Sequence, residues 1–145
     1  MTVATSVAPV TTRSLPCPGY AAVEACFAPE PICVGRSRHL SGVFLRLCEI
    51  DGPLTESVVL CVSELVTNGV THGMGDVSLR VRCWSNEIHV EVADGSSVPA
   101  TTRSTTADDT SGRGLLLVEA LSWTWGVSED GRTTWCTFRI PTDKP

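Results

Sequence analysis

Hydrophobic and polar positions divide the chain into recognisable elements. From Ile32 to about Cys48, apolar residues including Val43, Phe44 and Leu47 recur at helical spacing, with Pro29 and Pro31 just ahead. The run Asp51-Gly52-Pro53 breaks the chain. A second helix is predicted from about Leu54 to His72, stopped by Gly73 and Gly75, with Val58, Val59, Val62, Leu65, Val66 and Val70 forming a broad apolar arc. Two alternating segments follow. In the first, Val77, Leu79, Val81 and Cys83 face one way; in the second, after a turn at Ser85-Asn86, Ile88, Val90 and Val92 do so. Residues 95–111 are rich in Ser and Thr without periodicity, the composition of a loop. Gly112 and Gly114 then precede a third helix, "WTWGV" reads as a strand, Asp130-Gly131 as a turn and "TTWCTFRI" as a closing strand. Two helices, two strands, a loop, a helix and two strands predict an α+β two-layer sandwich, with helices on one face of a mainly antiparallel mixed sheet. Residues 1–20 read as a flexible tail and 21–145 as a single domain.

Composition narrows the function. The 145 residues are 42% hydrophobic and 19% charged, an ordinary globular balance. A net charge of −5 argues against direct nucleic-acid binding, which needs clustered Lys and Arg. The apolar runs fall far short of a membrane span, and the first residues carry no basic start and apolar core of a signal peptide. The expectation is a soluble cytoplasmic protein. Its one lysine is Lys144, which excludes a P-loop and a eukaryotic-type protein kinase, both of which need an internal lysine. The seven cysteines are odd in number and never spaced C-x-x-C, so they read as buried or incidental thiols.

Four features carry candidate chemistry, each with a plainer reading beside it. Ser57, Glu64, Asn68 and Thr71 share the narrow polar stripe of the second helix. That stripe is either a solvated face or a functional one, and it is poorer in charge than solvated faces usually are. Strand parity aims Asp94 at the covered side of the sheet, where a carboxylate needs a partner, unless it only starts the turn "DGSS". Gly112 and Gly114 either shape a turn or let helix N–H groups approach a phosphate. Thr134 shares the buried face of the last strand with Cys136 and Phe138, and bonds either a ligand or a neighbouring backbone group.

Taken in order, these features resemble the Bergerat (GHKL) ATP-binding fold of Hsp90, histidine kinases, type II topoisomerases and anti-sigma-factor kinases. The wording "VSELVTNGVTHG … VADGSS … SGRGLLLVEALSWTWGV … RTTW", with "VGRSRHL" earlier, is similar to the small anti-sigma-factor serine/threonine kinases abundant in actinobacteria. The resemblance spans roughly residues 30–141.

It implies ATP and Mg²⁺ as cofactors and a role for each residue. Asn68 would ligate Mg²⁺ through its amide oxygen, and Glu64, one turn earlier, would act as general base. Asp94 would accept the adenine amino hydrogen, with Gly95 beside it, although the usual D-x-G-x-G is here "DGSS". Gly112 and Gly114 would admit backbone amides to the phosphates, with Arg113 between them as charge support. Thr134 would contact adenine, or Thr133 if the register slips by one. The resemblance further implies a partner switch: a sigma factor held inactive, an anti-anti-sigma antagonist phosphorylated on Ser or Thr, and in many such proteins a homodimer. A second class of function stays open, a non-catalytic ATP-binding module that sequesters a partner. Trp84 and Trp135 fall on the opposite sheet face, where they either mark an interface or pack locally.

Overall fold

A computed structural model describes residues 11–13, 19–96 and 110–141, with side chains described for 19–96 and 114–141. In chain order the elements are β1 (Thr11–Arg13), β2 (Ala21–Phe27), α1 (Ile32–Leu47), α2 (Gly52–His72), β3 (Val77–Cys83), β4 (Glu87–Ala93), α3 (Thr110–Leu121), β5 (Thr124–Val127) and β6 (Thr133–Arg139). The strands form one six-stranded sheet in the order β1-β2-β3-β4-β6-β5. Every pairing in it is antiparallel. Among the helices, α2 packs on β3 and β4, while α1 and α3 flank α2 and reach β3 and β5 respectively. The α+β two-layer arrangement therefore holds, with no parallel pair among the described strands.

The period-two pattern sets the two sheet faces. Val23, Val81, Val90 and Cys136 form one row across β2, β3, β4 and β6, and all are buried beneath the helices. From α2, Val58, Cys61, Val62, Leu65 and Val66 fill the space above them. Each such side chain contributes about 1.5–3 kcal/mol when fully buried. The other face carries charge instead: Glu24, Arg80, Glu91 and Arg82 form a ladder of ion pairs across β2, β3 and β4.

Four expectations need correction. Thr11–Arg13, inside the stretch read as a tail, is an edge strand paired with β2. β2 itself was not anticipated, because Ala22 and Cys26 on its outer face blur the alternation of Val23, Ala25 and Phe27. In α1 the buried residues are Cys33, Ser37, Ser41, Phe44 and Leu45, while Val43 and Leu47 face outward. Small residues line that contact, so its apolar contrast is weak. Finally, α3 begins at Thr110, so Gly112 and Gly114 lie inside its first turns rather than ahead of it.

The predicted break at Asp51–Pro53 is the α1–α2 corner, with Pro53 in the first turn of α2, where its missing N–H costs nothing. The turns at Ser85-Asn86 and Asp130-Gly131 join β3 to β4 and β5 to β6 as expected. Of the Ser/Thr-rich loop, residues 97–109 lie outside the described residues.

Candidate functional site

The C-terminal half of α2 packs on β3 and β4 through its apolar arc, and its Glu64 meets α3 at Gly114. Asn68 is 5% exposed, and its Oδ1 accepts no hydrogen bond from any described group. Burying an unpaired amide oxygen costs about 1–3 kcal/mol, so a helix of this length does not hold one there for stability. An amide oxygen is a hard donor suited to Mg²⁺, which takes one or two protein oxygens and keeps waters for its other positions. The group therefore fits the cation that the resemblance assigns to it.

Glu64 is half-buried beneath α3. A Cβ built on Gly114 would lie 2.6 Å from Glu64 Oε2, so α3 comes down directly on the carboxylate, and a side chain there would push it aside. Glu64 and Gly114, fifty residues apart in the chain, are thus brought together. The backbone of Gly112 and Arg113 precedes Gly114 in the first turn of the helix. The first N–H groups of a helix have no intrahelical acceptor, and they give this end of α3 a partial positive charge. Where the Arg113 side chain lies is outside the described residues.

Asp94 follows the last residue of β4, and its backbone N–H donates to the Arg132 carbonyl at 3.0 Å. Its Oδ1 accepts the Ser96 N–H at 2.7 Å, an Asx turn that fixes the carboxylate. The other side of the carboxylate meets Gly73, the residue that caps α2: a Cβ there would lie 2.6 Å from Asp94 Cγ and 2.8 Å from Oδ2. Gly95 donates its N–H to the Met74 carbonyl at 2.6 Å, which stitches the end of α2 to the turn after β4. The sequence pattern marked Gly73 only as a helix stop. Its contact with Asp94 was hidden, because a terminating glycine and a close-packed glycine look alike in sequence.

Thr134 is buried, opposite Val92 of β4 and Val127 of β5, on the helix-facing side. Thr133 pairs with Ala93 on the opposite face, so the register is the one parity gives. Val92 lies two residues before Asp94, which places Thr134 and Asp94 at the same end of the sheet. Glu64 thus meets Gly114 of α3, Asp94, just past β4, meets Gly73 at the end of α2, and Thr134 of β6 lies at the same sheet end as Asp94.

The two tryptophans take separate neighbours. Trp84 stands edge-on to Tyr20 and His89, with ring centroids at 5.1 and 5.0 Å, and Arg82 lies 5.3 Å from its ring centre. Trp135 lies on Gly126, where a Cβ would be 2.7 Å from its ring. Local packing thus accounts for each of them.

Among the described residues, no cluster of three or more His, Cys, Asp or Glu could hold a metal by itself, and no helix is long and apolar enough to cross a membrane. The family model that matches the chain describes a histidine kinase-like ATPase domain, and the match runs over residues 27–140. No curated protein matches the chain.

Proposed function

The chain belongs to the histidine kinase-like ATPase domain family, and on that premise we propose that it is an ATP-dependent serine/threonine protein kinase that also restrains a sigma factor. The observation that carries the reading is the pairing of Asn68 with Glu64: a buried amide oxygen without a partner among the described residues, one helical turn from a carboxylate beneath α3.

Each residue then has a task. Asp94, fixed by the Ser96 N–H and by Gly73, accepts the adenine amino hydrogen. Thr134 contacts the same base from β6. Asn68 supplies the amide oxygen for Mg²⁺, which neutralises triphosphate charge when bound. The N–H groups at the start of α3 face the phosphates, a task a lysine often performs elsewhere; the only lysine here is Lys144. Glu64 takes the proton of the attacking serine or threonine hydroxyl of a small antagonist protein. Residues four apart on one helix face are what this division needs, because both groups must reach the terminal phosphate from one side.

The test is phosphate transfer from γ-labelled ATP to a candidate antagonist, with Glu64→Gln alongside. Transfer by wild type and none by Glu64→Gln, at equal ATP affinity, supports the kinase. Binding without transfer to any antagonist favours a module that sequesters its partner stoichiometrically. Failure to bind ATP overturns both readings.

A further inference from the structure

Two pairs of cysteines, remote in sequence, face each other in the fold. Cys61 of α2 meets Cys136 of β6 in the centre of the core, and both are fully buried. Cys48, just past the end of α1, meets Cys83, the last residue of β3. The second pair differs in its surroundings. Cys48 is half-buried, and both of its flanks line a cavity of about 370 Å³ that opens between the α1–α2 corner, Tyr20, Trp84 and Ile140. Cys83 lines the same cavity.

The chemistry of this second pair is asymmetric. A hydrogen bond from the Cys83 thiol lowers the Cys48 pKa, against the opposing effect of burial. The same hydrogen bond, together with burial, pushes the Cys83 thiol well up. The Cys83 sulfur also lies 3.4 Å from the Trp84 carbonyl, a second acceptor for its proton. Cys48, the more exposed of the two, is the thiol that a molecule entering the cavity meets first, with Cys83 buried beside it. Thiolate character and access together select a reactive cysteine. In the Cys61–Cys136 pair, the hydrogen bond and burial raise the Cys136 pKa, and no solvent reaches it.

We infer that Cys48 and Cys83 form a thiol–disulfide exchange site, open to small-molecule disulfides through the cavity at the α1–α2 corner. The Cys48 thiolate attacks one sulfur of the disulfide RSSR, forming Cys48–S–S–R and releasing RS⁻. Cys83 then loses its proton and attacks the Cys48 sulfur, forming the Cys48–Cys83 bond and releasing the second RS⁻. The two protein protons end on the two released thiols, so two cysteines are oxidised and one small disulfide is reduced. The product ties the α1–α2 corner to the end of β3. This site is separate from the one around Asn68 and Asp94, and it does not rest on the kinase reading.

The experiment incubates the full native chain with glutathione disulfide, quenches by alkylation and maps the cysteines by mass spectrometry. Wild type is expected to give a Cys48–Cys83 cross-linked peptide without retained glutathione, while Cys61 and Cys136 alkylate only after denaturation. Cys83→Ala is expected to stop at glutathione on Cys48, and dithiothreitol should reverse both products. The wild-type measurement stands even if that variant folds poorly. The inference is overturned if Cys48 and Cys83 both stay free, if glutathione remains on Cys48 of wild type, or if the bridge forms only in denaturant.

Discussion

Gly73→Ala perturbs the close packing of the end of α2 against Asp94. The backbone at Gly73, φ −79° and ψ −178°, is open to alanine, so the substitution introduces no backbone strain. What it introduces is a methyl pressed against the Gly69 carbonyl oxygen and lying 2.6 Å from Asp94 Cγ and 2.8 Å from Oδ2, where carbon contacts prefer about 3.5–4.0 Å. The carboxylate, the end of α2 or both must move by about 1 Å. Overpacking of this kind costs about 1–3 kcal/mol. In a chain of this size that lowers Tm by roughly 3–10 °C. On the proposed reading the displaced carboxylate also loses its aim at adenine, and a charged hydrogen bond is worth about 1.5–3 kcal/mol, or about 10- to 100-fold in affinity. Thermal unfolding and calorimetric titration with ATP read the two effects. Gly35→Ala is the control. It sits exposed in α1 with nothing within 4 Å of a built Cβ, so it should stabilise by about 0.5–1 kcal/mol and leave ATP binding unchanged. If Gly73→Ala matched wild type in both Tm and affinity, the reasoning about Asp94 would be refuted.

Other outcomes follow from the same geometry. Asn68→Ala should remove the part of ATP affinity that depends on Mg²⁺, more than tenfold, when titrations with Mg²⁺ and with EDTA are compared; an unchanged Mg²⁺ dependence would assign the cation elsewhere. Gly114→Ala, which sets a methyl 2.6 Å from Glu64 Oε2, should lower the transfer rate more than it lowers ATP affinity. Leu45→Ala, at a fully buried position of α1, should cost about 2–5 kcal/mol in a denaturant titration. Asp130 is held below its ordinary pKa by the Ser128 hydroxyl and the Arg132 N–H. Its contribution is present above the unfolded-state value, about pH 4, and is lost as pH falls through the lower folded value. Asp130→Ala should therefore lower stability slightly at neutral pH, flatten the acid limb of the profile, and converge with wild type once pH falls below the folded value.

Strong periodicity made much of this fold legible. The arc of Val58, Val62, Leu65 and Val66, and the alternation in β3 and β4, gave helix and strand correctly, because large apolar side chains mark a buried face without ambiguity. β2 and the buried face of α1 escaped for the opposite reason. Alanine, cysteine and serine pack there, and these small residues carry little apolar contrast. Asn68, Asp94 and Thr134 were singled out by helix spacing and strand parity, both local rules. The contacts of Gly73 with Asp94 and of Gly114 with Glu64 were not, since each joins distant parts of the chain. The facing thiols were missed likewise: counting and spacing describe cysteines along the chain, whereas Cys48 and Cys83 meet only once α1 is laid beside β3.

The central claim is that adenine nucleotide binds at the end of the sheet, held by Asp94 and, through Mg²⁺, by Asn68. Calorimetric titration of the full chain with ATP and Mg²⁺, beside Asp94→Asn, tests it most directly. The account predicts one site per chain, with affinity reduced at least tenfold in Asp94→Asn. A wild-type chain that binds no ATP, or an Asp94→Asn chain that binds as tightly as wild type, would contradict it.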